Sequence, residues 1–198
     1  MIKKLFTALS LSGAICLAAV AEPSRIEKAT TLMPEPEVVA VEEPAVVVPE
    51  IICNGCTAAE QETLEFFFEE GITDKHALAM IMGSIKQESR FQPSVCEGGL
   101  ITSWQGCTRG GFGLIQFTSN HRYYGLGNYA ARTGQAPEEL KTQLEYIVTE
   151  AEWKSASTIF MLEGLPMYSY DRAGRIWLGY GIKGNRLYYA WQYVDKIA

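Results

Sequence analysis

The chain is poor in the residues that carry nucleophilic and metal chemistry. Of 198 residues only two are histidine and five cysteine, and 17 basic residues stand against 23 acidic ones, a formal net charge of −6. A dedicated nucleic-acid binder needs a dense basic face to neutralise phosphates, so that class of partner is excluded. His76 and His121 read as surface residues. Cys16 falls in an N-terminal apolar stretch, which leaves Cys53, Cys56, Cys96 and Cys107. That even number predicts no free thiol and excludes a Cys–His nucleophile. Proline is scarce outside one segment, long apolar runs are limited to Leu5–Val20, and there is no internal repeat. With 47% hydrophobic and 11% aromatic residues, the chain suffices for one compact domain but not for two generous ones.

Residues 1–21 have the form of a secretory signal: Lys3 and Lys4, then the apolar run, then Ala19-Val20-Ala21 as a small-residue cleavage site. An uncleaved anchor is the competing reading, but the run is short for a bilayer span. A lipid-attachment site at Cys16 is rejected, because Ile15 stands where a small residue is required. No stable membrane insertion is expected after cleavage. Residues 22–50 hold five of the eight prolines and seven glutamates without an aromatic residue, which describes an extended, self-repelling linker. Residues 51–198 form the expected domain and are close to neutral.

An exported chain with four cysteines points to two disulfides, and sequence leaves three connectivities. Local pairing, Cys53 with Cys56 and Cys96 with Cys107, is favoured because the second pair closes a short polar, glycine-rich loop. A four-thiolate zinc site is the alternative, weakened by unequal spacing.

Thr57-Ala58-Ala59-Glu60 has the form of a capping box and opens a helix that Gly71 closes. A second helix starts with Thr73 as N-cap, carries Leu78, Ile81, Met82 and Ile85 at helical spacing, and ends near Arg90 before Pro93. From Gly98 to Thr118 helical periodicity disappears and glycines punctuate short runs that suit a small hairpin. Pro137-Glu138-Glu139 then opens a helix whose apolar stripe ends near Trp153. Short helices are expected at Ser155–Leu162, Tyr170–Leu178 and Asn185–Ile197. The domain is therefore mainly α-helical with one small β element.

Glu88 lies roughly 70° from the middle of the second helix's apolar stripe, at the lip of a cleft. Partial burial and the carbonyls of the helix's last turn both favour a neutral acid there, which suits a general acid. The alternative is an ordinary surface glutamate.

Gln87-Glu88-Ser89-Arg90-Phe91-Gln92-Pro93 and Gly111-Phe112-Gly113-Leu114-Ile115-Gln116-Phe117-Thr118 together resemble the lysozyme-like superfamily, in which an E-S-x-F-x-P helix end faces a G-x-G-L-x-Q hairpin across a sugar cleft. The closer similarity is to the phage tail lysozyme family, with Met80–Ser89 similar to its catalytic helix and Gln143-Leu144-Glu145-Tyr146 to the segment that follows. Two linked motifs in order are more specific than either alone. The resemblance implies an α+β lysozyme-like fold with a small β-hairpin. It also implies cleavage of the β-1,4 bond between N-acetylmuramic acid and N-acetylglucosamine in peptidoglycan, with glycan strands as the partner. Export agrees, and a partner in a phage virion or cell envelope is open through the linker. No cofactor and no metal follow from the resemblance.

Residue by residue, the resemblance makes Glu88 the acid that protonates the departing oxygen. Ser89 is expected to fix the hairpin against the helix end, Gly113 to let backbone approach a sugar, and Gln116 to offer an amide donor and acceptor. Phe117 stands for the more usual tryptophan and keeps a stacking face. Thr118 and Tyr123 complete the expected substrate-binding set, and Trp104, Tyr124, Tyr168, Tyr170, Trp177 and Tyr180 supply further aromatics, of which two or three are expected in the cleft.

A second catalytic group is less evident. Inversion needs a base about 6.5–9.5 Å from the acid and retention a nucleophile about 5 Å away. Glu97 is the acidic candidate, in a spacing, Glu88-x8-Glu97-x5-Ser103, similar to the E-x8-D-x5-T of one phage lysozyme group. A solvated loop carboxylate is the competing reading of Glu97, and a single-acid lytic transglycosylase is then the better description. From a different class comes a non-catalytic glycan-binding or virion structural module with the same fold, suggested by the missing second acid and by a domain charge that gives no steering toward an anionic wall.

Overall fold

The computed structural model describes residues 50–198; the expected signal at 1–21 and all but the last residue of the expected linker lie outside the described residues. Among the described residues the chain forms α1 (Ala58–Glu69), α2 (Lys75–Ser89), β1 (Val95–Cys96), β2 (Leu100–Ile101), α3 (Asn120–Thr133), α4 (Leu140–Thr149), α5 (Ala151–Phe160), α6 (Met167–Leu178) and α7 (Arg186–Lys196). The two strands pair antiparallel, Val95 opposite Ile101 and Cys96 opposite Leu100. This is the mainly helical α+β architecture that the sequence predicts, with the small hairpin at Val95–Ile101, starting ahead of the Gly98–Thr118 stretch in which it is expected.

The capping box of α1 forms as expected, with Glu60 N–H donating to Thr57 Oγ1 at 3.3 Å and Thr57 N–H to Glu60 Oε2 at 2.8 Å. Glu60 does more than cap. Its Oε1 accepts from Lys86 of α2 at 2.8 Å and from the Tyr193 hydroxyl of α7, so one carboxylate ties three helices. For α2 the cap is Asp74 rather than Thr73: Asp74 Oδ1 accepts from the N–H groups of His76 and Ala77, while Thr73 is drawn to Glu163.

The core is centred on α2. Every residue from Ala77 to Ile85 is buried, so the expected apolar stripe is in fact apolar enclosure on all sides, the pattern of a central helix. Its small residues make the enclosure possible. At Gly83 an added Cβ would stand 2.5 Å from the Ala190 nitrogen and 2.7 Å from the Arg186 carbonyl oxygen, so α7 packs backbone to backbone across this glycine. Leu64 and Phe67 of α1, Phe160 of α5, and Tyr170 and Trp177 of α6 close the other sides.

Two expectations are corrected. Residues 120–133 form a helix where none was anticipated, since Gly125 and Gly127 dilute its apolar periodicity. Ser119 Oγ accepting from Arg122 N–H at one end and Gly134 in a left-handed conformation at the other mark its limits. The single helix expected to end near Trp153 is two helices. Glu150 breaks it in an extended conformation because its carboxylate turns inward to the buried Arg122.

The four cysteines among the described residues pair locally as favoured, Cys53 with Cys56 and Cys96 with Cys107, which overturns the zinc alternative. The first pair lies where Cys53 bridges to Ile197, holding the domain's two ends together. The second staples β1 to the loop beyond β2.

Two outcomes follow. Gly83→Ala gains about 1 kcal/mol of helix propensity, yet it is expected to lower stability by about 2 kcal/mol net through overpacking against α7; denaturant unfolding read by circular dichroism checks the sign. Burial alone would push the Glu60 carboxyl up, but the hydrogen bonds from Lys86, Thr57 and Tyr193 outweigh it and hold it at about 2 against an ordinary 4.5. A depressed folded value means that the stability it confers is fully present above 4.5 and lost as pH falls toward about 2. Unfolding free energy measured across that window should therefore fall by roughly 2–3 kcal/mol more in the parent than in Glu60→Gln.

Candidate active site

Glu88 sits in the last turn of α2, half-buried with its side chain 16% exposed, at the cleft lip that helical geometry predicts. The residues after it form a tight reversal. Arg90 and Phe91 both have positive φ, 56° and 62°, a conformation that costs energy in non-glycine residues. Ser89 stabilises this turn: its hydroxyl accepts from Phe91 N–H at 3.1 Å and donates to Ile85 O at 3.4 Å. Those bonds replace the expected tie from Ser89 to the hairpin, which has none among the described residues. Phe91 is then buried as an anchor, and Pro93 leaves along a new direction.

The tie to the hairpin comes from Gln143 of α4, which is fully buried. Its Nε2 donates to Pro93 O and Pro137 O, each at 2.7 Å, and its Oε1 accepts from Leu114 N–H at 2.7 Å. One amide thereby fixes the exit of α2 against the Gly111–Thr118 segment. That segment is a tight turn closed by Phe112 and Phe117, with Phe117 N–H donating to Phe112 O at 2.9 Å.

This geometry changes two expected roles. The space a Cβ would take at Gly113 is filled by Gln143, so its positive φ of 76° serves packing within the protein rather than approach to a sugar. Phe117 is 0% exposed, packed against Tyr146 and the Arg122 guanidinium, so it has no face for stacking on a ligand. Both partners of the Phe112–Phe117 bridge point into the core, which makes this aromatic structural whatever its type.

Gln116 and Thr118 do face the cleft. A cavity of about 420 Å³ is lined by Glu88, Glu97, Gly98, Gly111, Gln116 and Thr118. A second, of about 330 Å³, shares Glu88, Gly98 and Gln116 with it, so the two form one groove around the end of α2. Gln116 Nε2 donates inward to Gly113 O at 3.1 Å and Val95 O at 3.4 Å, which fixes the amide while its oxygen has no partner among the described residues. Glu97, exposed in the turn between β1 and β2, is brought to the same groove as Glu88. Its N–H donates to Gly111 O at 2.8 Å, which holds it there. Ser103 of the spacing pattern does not line this groove; its hydroxyl accepts from Gly106 N–H instead.

The most consequential residue absent from the expected set is Arg186. At the first turn of α7 it donates to Glu88 Oε1, to Ile182 O at 2.9 Å and to Lys183 O at 2.8 Å, and its guanidinium stacks over the Tyr180 ring at 3.9 Å. This ion pair is absent from the sequence reading of Glu88, which weighs burial and the helix terminus alone. Arg186 lies 98 residues from Glu88, beyond the reach of local pattern. The α2–α7 contact that places it is reinforced by Asn185 N–H donating to Gln87 Oε1 at 2.7 Å.

Among the remaining aromatics, Trp104, Tyr123 and Tyr124 line a separate cavity, Tyr170 and Trp177 are core, Tyr168 is exposed away from these cavities, and Tyr180 supports Arg186. The Tyr123 hydroxyl is committed to Trp104 O and Cys107 O. His121 is exposed as expected, whereas His76 is half-buried edge-on to Trp191.

The family model for phage tail lysozyme matches residues 58–187. Among curated proteins none matches the chain.

The Glu88–Arg186 pair is open to a double-mutant cycle. Arg186→Met is expected to destabilise the domain by about 2 kcal/mol by leaving a half-buried carboxylate without its partner. The same change in a Glu88→Gln background should cost less, with a coupling of about 1–2 kcal/mol; additive effects in chemical unfolding would show that the pair carries no energy.

Proposed function

The chain belongs to the phage tail lysozyme family, and on that premise we propose that it is an exported peptidoglycan glycosidase that hydrolyses the β-1,4 bond between N-acetylmuramic acid and N-acetylglucosamine. The observation that carries this reading is the meeting of Glu88 and Glu97 in one groove with Gly111, Gln116 and Thr118. Glycoside hydrolysis needs two carboxyl groups flanking the scissile bond, and a groove with one acid from a helix end and one from a hairpin turn supplies both.

In this mechanism Glu88 protonates the leaving glycosidic oxygen. Before it can do so its contact with Arg186 is exchanged for a proton, a change that substrate in the groove favours by displacing water. Until then Arg186, held on Tyr180 and the two α6–α7 loop carbonyls, keeps Glu88 oriented at the groove. Glu97 serves as the second carboxylate, holding water or meeting the sugar carbon. The Gln116 amide oxygen accepts from a sugar hydroxyl or acetamido N–H, and Thr118 lines the wall beside it. The signal at 1–21 is proposed to deliver the domain to the compartment that holds the polymer, with the 22–50 segment as a spacer. Among the described residues no helix is long and apolar enough to cross a membrane.

Mass spectrometry of purified sacculi digested with the disulfide-intact chain tests this. Reducing-end muramic acid products are expected from the parent, none from Glu88→Gln, and a loss of about 10²-fold or more from Glu97→Gln. Anhydro-muramic products with Glu97→Gln at parental rate would replace hydrolysis by lytic transglycosylation. Absence of any product from the parent would leave a binding module.

A further inference from the structure

A cavity of about 500 Å³ lies beside the groove, walled by Trp104, Tyr123 and Tyr124 on one side and edged by Arg109, Asn120 and Thr118. Thr118 lines both spaces, and Gly110 of this cavity is followed directly by Gly111 of the groove, so the two adjoin. The aromatic wall is rigid. Trp104 is stacked on Tyr123 with ring centroids 5.0 Å apart, donates its indole N–H to Tyr123 O at 3.2 Å, and fits against α3 only because residue 127 is glycine. Tyr124 stands edge-on to both rings and is 57% exposed. The loop that carries Trp104 is closed by the Cys96–Cys107 disulfide. A fixed aromatic surface with amide and hydroxyl groups at its edge suits the flat apolar face of a pyranose ring.

Arg109 makes the cavity selective. It is exposed, it is the only charged side chain lining the cavity, and it has no ion pair among the described residues. An arginine without an ion-pair partner among the described residues, at the rim of a sugar-sized cavity, is suited to a carboxylate, which its planar fork grips in a defined geometry. The sugars of the polymer offer neutral hydroxyls and acetamido groups; its carboxylates sit on the short acidic peptides borne by alternate sugars. Resting on the peptidoglycan reading above, we infer that this cavity is a subsite for the peptide-bearing sugar and that Arg109 pairs with a carboxylate of its peptide.

The test is binding rather than turnover, so that this inference and the glycosidase reading fail separately. The full chain is titrated by calorimetry with two soluble disaccharides obtained from the wall, one carrying its acidic peptide and one stripped of it with the lactyl carboxyl so freed capped as its neutral methyl amide; neither contains the scissile linkage. The peptide-bearing form is expected to bind about fivefold more tightly, the upper range for a solvent-accessible ion pair. That ratio falls to about one in Arg109→Gln, and Tyr124→Ala weakens both ligands alike while preserving it. Equal binding of the two ligands by the parent, or a preference that Arg109→Gln leaves at its parental value, overturns the inference. Because Arg109 is exposed and has no ion pair among the described residues, its variant retains the parent's melting temperature, and a change in ratio is read free of unfolding.

Discussion

A helix buried on every side can present chemistry only at its end, and that constraint organises the domain. From Ala77 to Ile85 no side chain of α2 reaches solvent, and the first partly exposed residues are Lys86, Gln87 and Glu88. Lys86 is spent on Glu60 and Gln87 on the start of α7, which leaves Glu88 at the groove. The enclosure depends in turn on backbone contact at Gly83, a residue that lowers intrinsic helicity and is kept where two helix backbones nearly touch. The same contact sets the height of α7 against α2 and so delivers Arg186 to Glu88.

The opposite wall of the groove is held by different means. A sheet of two residues per strand has little stability of its own, and here it is fixed from outside by the Cys96–Cys107 disulfide and by the Gln143 amide. Gln143 is buried with its amide nitrogen donating to two carbonyls and its oxygen accepting a backbone N–H, the condition under which an interior amide fixes a conformation at no desolvation loss. The groove thus lies between a wall set by helix packing and a wall set by a covalent bond and one polar clamp. Glu88 stands on the first and Glu97 on the second, so the separation of the two carboxylates depends on both.

Most of the framework was legible because it rests on local chemistry. The α1 capping box, the end of α2, the α6 and α7 segments and both cysteine pairs follow from caps, periodicity and short loops. The α3 helix was not legible because its glycines exist for tertiary reasons, Gly127 to admit the Trp104 ring and Gly125 to admit Tyr146, and they erase the periodic signal. Glu150 hid a helix break for a similar reason: its backbone follows a side chain committed to Arg122, 28 residues earlier. In the candidate site, motif residues were found but some of their jobs were not. Gly113 and Phe117 stand in the motif because the turn must pack against Gln143 and Tyr146, and a pattern of letters does not separate residues that face a ligand from residues that hold those that do. Arg186 was invisible for want of any local signature.

The near-neutral charge of the domain, which by itself argues against attraction to an anionic polymer, loses its force once the charges have positions. At physiological salt, exposed charges more than about 8 Å apart are largely screened, so any ligand in the groove responds to the groups lining it and not to the sum over the surface. Those groups are unevenly distributed. Two carboxylates and a buried guanidinium stand at the end of α2, and Arg109 is the one charge in the adjoining aromatic cavity. An overall excess of either sign would act on every anionic polymer alike. On the proposed reading, one cation set beside a sugar-sized aromatic wall, and one pair of acids set next to it, acts only on a strand that is already threaded in register.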